Sequence, residues 1–79
     1  LQIKVINKIN DKIIEYQQRT GATKTWISNK LGISKARLYQ ICEAENMMLD
    51  VAIKFSIFFE CEIMDLFEYK ILDENKNIV

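Results

Sequence analysis

The sequence predicts an all-α fold of five short helices, and three observations predict it. Apolar residues recur three and four positions apart along most of the chain, which is the spacing of one helix face. The only two glycines, Gly21 and Gly32, stand where such runs must stop, and there is no proline. At 79 residues, nearly half of them hydrophobic, the chain is one domain with enough apolar material for one core.

Each element has a local cause. Ile6, Ile9, Ile13 and Tyr16, with Ile14 beside them, line one face of a first helix. Thr20-Gly21 stops it, because glycine takes a left-handed conformation without steric cost. Thr23 has a hydroxyl that can accept from an unpaired amide, so it caps a second helix, Lys24 to Leu31, with Ile27 and Leu31 on one face. Gly32 breaks that helix. Ser34 caps a third, from Lys35 to about Ala44, with Leu38 and Ile41 inward. A fourth runs from about Leu49 to Phe59 on Leu49, Ala52, Ile53 and Ser56, with three phenylalanines adding bulk. A short fifth covers Ile63 to Phe67 or Glu68. Leu1, Ile3 and Val5 alternate, which fits a short strand and also a helical extension. Tyr69 to Leu72 is strand-like, Asp73 to Asn77 reads as a turn, and Ile78-Val79 can return as a partner strand. Short terminal β-strands thus remain open beside the helices.

Composition narrows the function classes. Histidine, the commonest general base, is absent, as are a glycine-rich phosphate loop and any paired nucleophile and base, so the chain reads as no enzyme. Cys42 and Cys61, without histidine, make neither a disulfide scaffold nor a zinc site; both are expected reduced and partly buried, with no metal and no cofactor. No apolar run is long enough to span a bilayer and no signal peptide is visible, so a cytoplasmic protein away from membranes is expected. Net charge is zero but unevenly spread. Residues 1–41 carry eight Lys or Arg against two Asp or Glu, and residues 42–79 carry three against nine. Such asymmetry points to a polyanion-binding face in the first half.

The most informative segment runs from Lys24 to Glu43. Two helices crossing steeply through a tight turn need a small residue where they cross, a left-handed residue in the turn, and apolar plugs in the angle between them. Ser28, Gly32, and Ile27, Leu31, Ile33, Leu38 and Ile41 meet those demands. The pattern resembles a helix-turn-helix unit. With the flanks Ser34 to Ile41, Asn46 through Leu49-Asp50, Ile53-Lys54, Phe59, and Ile63-Met64-Asp65-Leu66-Phe67, it resembles the Cro/cI-type (XRE-like) repressor domain over about residues 7–68, most of the chain. Three positions depart from that pattern: Cys42 stands where many relatives end the recognition helix on glutamate, Ala44-Glu45 where the next loop has glycine, and Met47 where it has proline.

The resemblance implies a transcriptional regulator of phage, plasmid or mobile-element type that binds double-stranded DNA in sequence-specific fashion, probing the major groove with its third helix. Lys35, Ala36, Tyr39 and Gln40 match the base-reading positions: Gln40 suits adenine, Lys35 guanine, and Ala36 a thymine methyl. Phosphate contacts are expected at helix starts, from Lys24, Thr25 and Ser34, and from the cations Arg19, Lys30 and Arg37. Trp26 is expected to pack against the first helix. One recognition helix covers few base pairs, so a twofold homodimer is expected, held by the tail, residues 69–79, or by the first residues of either chain. The competing reading is a helix-turn-helix module that binds a protein partner, an antirepressor for example, with weak or no DNA binding. Net neutrality and the acidic pair Glu43 and Glu45 favour it.

Overall fold

The computed structural model describes residues 1–79. The order is strand β1 (Gln2–Asn7), helices α1 (Ile9–Thr20), α2 (Lys24–Leu31), α3 (Lys35–Glu43) and α4 (Leu49–Phe59), a single 3-10 turn (Ile63–Asp65), and strand β2 (Phe67–Leu72). The fold is therefore mixed, with four α-helices and a two-stranded sheet, and the expectation of an all-α, five-helix domain is wrong.

The correction falls at both ends of the chain. β1 and β2 are antiparallel partners through six residue pairs, from Gln2 with Leu72 to Asn7 with Phe67. Ile6 belongs to this ribbon and not to α1. The predicted fifth helix shrinks to one turn, since Phe67 and Glu68 already lie in β2. A five-residue helix forms too few hydrogen bonds to offset its nucleation cost. From Phe67 onward the apolar residues alternate, and β1 satisfies every second backbone group in register. The turn before it is closed by Asp65, whose carboxylate accepts from the Glu62 amide at 3.0 Å. Beyond β2, Asp73 organises a tight turn by accepting from the amides of Asn75 and Asn77 at 2.9 and 2.7 Å. Ile78 then bridges to Leu72, on the edge of β2 away from β1.

The four helices form where local chemistry places them. Gly21 and Gly32 close α1 and α2 in the left-handed region, at φ 76° and 73°. The Thr23 hydroxyl accepts from the Trp26 amide and the Ser34 hydroxyl from the Arg37 amide, each at 3.0 Å. The core joins Ile9 and Ile13 of α1, Ile27 and Leu31 of α2, Leu38 and Ile41 of α3, Phe55 of α4 and Leu66. Ser28 is buried in it at the α2–α3 crossing, its hydroxyl donating to the Thr25 carbonyl at 2.9 Å. Trp26 stacks on Tyr16 of α1 and meets Phe58 of α4 edge-on, with ring centroids 6.4 and 6.3 Å apart. The molecule measures 43 × 22 × 17 Å. No helix is long and apolar enough to cross a membrane.

Candidate functional site

α3 buries only Leu38 and Ile41, so its opposite face is open. Lys35, Ala36, Tyr39 and Gln40 are all exposed on it, joined by Glu43 one turn beyond Tyr39 and two beyond Ala36. α2 and α3 meet at Gly32, whose added Cβ would touch nothing within 4 Å; the turn needs glycine for its φ and not for space. Because the capping hydroxyls take the third amide of each helix, the first two amides of α2 and of α3 stay free. Those are the amides of Lys24 and Thr25, and of Lys35 and Ala36, and each pair faces the exterior with the positive end of a helix dipole behind it.

The predicted site residues fall into two groups. Lys24 reaches from the start of α2 to α3, placing its ammonium 4.7 Å from the Tyr39 ring centroid. Lys24 therefore borders the open face of α3, as does Ser34 at the start of that helix, and Thr25 follows Lys24 in the first turn of α2. Arg19 and Lys30 do not. The Arg19 guanidinium lies 5.2 Å from the Tyr16 ring and the Lys30 ammonium 5.4 Å from the Trp26 ring. Both cations thus flank the Tyr16–Trp26 stack, which packs on α4. Cation–π contact accounts for them there without any ligand. Arg37 is exposed beside Ala36, around the helix from Lys24 and Tyr39.

Asn7 and Cys42 have surroundings that the sequence did not show. Asn7, at the root of the ribbon, donates from its side-chain amide to the carbonyls of Ile41 and Ala44, both at 2.8 Å, and accepts from the Ile9 amide at 2.9 Å. One side chain thereby caps α1, ends β1 and holds the C-terminus of α3. An asparagine just before a helical run is a capping signal; its contact with α3, more than 30 residues away, has no local signature. Cys42 lies half-buried on the α3 flank nearest Lys24. Burial pushes its thiol above the usual 9.0, the Lys24 ammonium pulls it back, and the Glu43 carboxylate adds to the rise. Burial also raises Cys61, aided by Asp65. Both thiols stay protonated near neutral pH, which leaves them poor nucleophiles.

No group of three or more His, Cys, Asp or Glu side chains lies close enough to hold a metal ion. Every buried side-chain nitrogen and oxygen has a hydrogen-bond partner within the fold. What the arrangement offers chemically is an exposed helix face carrying donors, acceptors and a methyl group, bordered by one lysine and two helix starts whose first two amides are free. The chain matches no family model and no curated protein.

Proposed function

We propose that this protein binds duplex DNA in sequence-specific fashion, laying α3 in the major groove, and acts in the cytoplasm as a transcriptional regulator of the Cro/cI type. The observation that carries this reading is the α2–α3 unit itself: a left-handed Gly32 between two short helices, with Lys35, Ala36, Tyr39 and Gln40 exposed on one side of α3. The major groove admits a helix of this kind and offers a distinct donor and acceptor pattern for each base pair. Gln40 reads adenine, Lys35 reads guanine, and Ala36 meets a thymine methyl. Lys24, Thr25 and Ser34 engage phosphates on either side. Arg19 and Lys30 have no part in the contact, because their cations sit on aromatic rings at the other flank of α2.

Selection of bound sequences from random duplexes, followed by titration at several salt concentrations, tests the proposal. Gln40→Ala is expected to cost about 1–3 kcal/mol on the selected site and to relax preference at one base pair. Lys24→Ala is expected to weaken all sequences alike and flatten the salt slope by about one unit. Arg19→Ala is expected to leave binding within error. Full affinity in Gln40→Ala sinks the base-reading assignment.

The second reading is a protein-binding helix-turn-helix module. Glu43 supports it, since a carboxylate on the open face of α3 is repelled by phosphate and suits a cationic protein surface. Absence of any salt-dependent binding to duplex DNA selects this reading over the first.

A further inference from the structure

Between the ribbon and the first turns of α4 the surface opens into a mostly apolar groove of about 400 Å³. Small-molecule sites are concave, mostly apolar and ~300–1,000 Å³ in size. Ile3 and Val5 of β1 and Phe67 and Tyr69 of β2 share one face of the ribbon by register and form its wall. Across from them stands Leu49 of α4, and Ala52, buried and small, leaves the space open between. The loop after α3, Glu45 to Met47, and the turn residues Ile63 and Met64 complete the rim. Contacts within the fold brace this cup. Asn7 ties the root of the ribbon to the carbonyls of Ile41 and Ala44, immediately before the loop. Asp65 closes the turn that carries Met64. The groove is therefore formed before any ligand arrives, as ligand sites usually are.

Charge selects the occupant. No lysine or arginine lines the groove. Its two carboxylates differ. Glu68 lies on the other face of β2 by register and pairs with Lys8 at 3.3 Å, so its charge is already met. Glu45 is exposed and takes part in no ion pair. Lys4 and Lys76 line an adjoining depression but form no ion pair with it. Glu45 also stands two residues past the end of α3, where the helix dipole is negative. Phe67 and Tyr69 add aromatic faces, and such faces attract cations, quaternary ammonium groups above all. An anionic ligand meets no partner here, and a wholly apolar one leaves Glu45 unanswered.

We infer that this groove binds a small lipophilic cation, an apolar body with a single quaternary or protonated amine head. The body lies over Ala52 between Leu49 and the ribbon, and Glu45 holds the head. The inference stands without the DNA-binding proposal, because ligand binding is measured without DNA.

Calorimetric titration of the full chain with octyltrimethylammonium, well below its micellar concentration, tests it. Octyl sulfate, which has the same tail and the opposite charge, should bind about tenfold more weakly or not at all. Tetramethylammonium, the head without the tail, should not bind. Glu45→Gln should weaken the cation about 3–5-fold and leave octyl sulfate no weaker. Met64→Lys, at an exposed rim position, sets a competing cation there and should weaken octyltrimethylammonium about tenfold with unchanged helical content. Glu74→Gln, on the turn beyond β2, should change nothing. As an independent readout, methyl resonances of Val5, Leu49, Ala52 and Ile63 should shift on titration while those of Ile14 and Ile27 stay in place. No binding at millimolar ligand overturns the inference. So do equal affinities for the two octyl compounds, an unchanged affinity in Glu45→Gln, or shifts centred outside the groove. An affinity that falls as protein concentration rises assigns the groove to a second copy of the chain and overturns it too.

Discussion

Two residues hold the same left-handed conformation at helix ends and invite opposite predictions. Gly32 ends α2 at φ 73° and Glu60 ends α4 at φ 54°. Glycine bears that conformation freely, whereas a side chain pays about 1–2 kcal/mol for the approach of Cβ to its own carbonyl. Replacing Gly32 by alanine should thus destabilise by about 1 kcal/mol, with no clash involved, and valine should cost more because β-branching is worse at positive φ. Replacing Glu60 by glycine should stabilise by about 0.5–1 kcal/mol, less than the full relief because glycine also loosens the unfolded chain. Thermal midpoints measure both, moving down for Gly32 variants and up for Glu60→Gly, by about 4–8 °C per kcal/mol in a domain of this size. Gly32 was legible from sequence because glycine announces the need. Glu60 was not, because nothing in a glutamate marks a position that the chain direction, and not the residue, forces left-handed.

At the level of elements, sequence and structure agree where the cause is local and part where it is not. α1 to α4 follow from apolar spacing, two glycines and two hydroxyl caps, each within a few residues of what it controls. The open face of α3 follows from the same periodicity, since fixing Leu38 and Ile41 inward fixes Ala36, Tyr39 and Gln40 outward. The ribbon does not follow, because Gln2 finds its partner in Leu72 and neither strand shows its partner in its own residues. Residues 69–72 pair with β1 of their own chain, and Ile78 folds back upon β2. Asn7 is where the ribbon meets the helices, and its two functions are separable. Asn7→Asp keeps the oxygen that caps α1 but loses the donors to Ile41 and Ala44, and sets a carboxylate against the negative end of α3. Asn7→Ala loses cap and clasp together. Each should cost about 1–3 kcal/mol in chemical denaturation, with aspartate no milder than alanine. An aspartate variant as stable as the original chain would show that the clasp on α3 contributes nothing.

For the molecule as a whole, the distribution of contacts predicts where it opens first. The core is made by α1 to α4 and Leu66, and the ribbon adds no fully buried residue to it. A segment with few buried contacts and solvent-exposed backbone bonds opens at lower free energy than the core. Amides of β1 and β2 that face each other should therefore exchange with solvent faster than those of α1 and α3 under conditions where the helices stay protected. Equal protection across both groups would mean that the ribbon and the helices form one cooperative unit. The pairing of Gln2–Asn7 with Phe67–Leu72 also has a meaning in time. Helices form from neighbours and arise early, whereas a ladder between residues 60 to 70 apart must wait for a long loop to close. Asn7 reaches its place against Ile41 and Ala44 only when that ladder is in place. The end of α3 is accordingly the last part of the proposed reading head to be fixed during folding, and a chain whose helices have already collapsed is still an unfinished one.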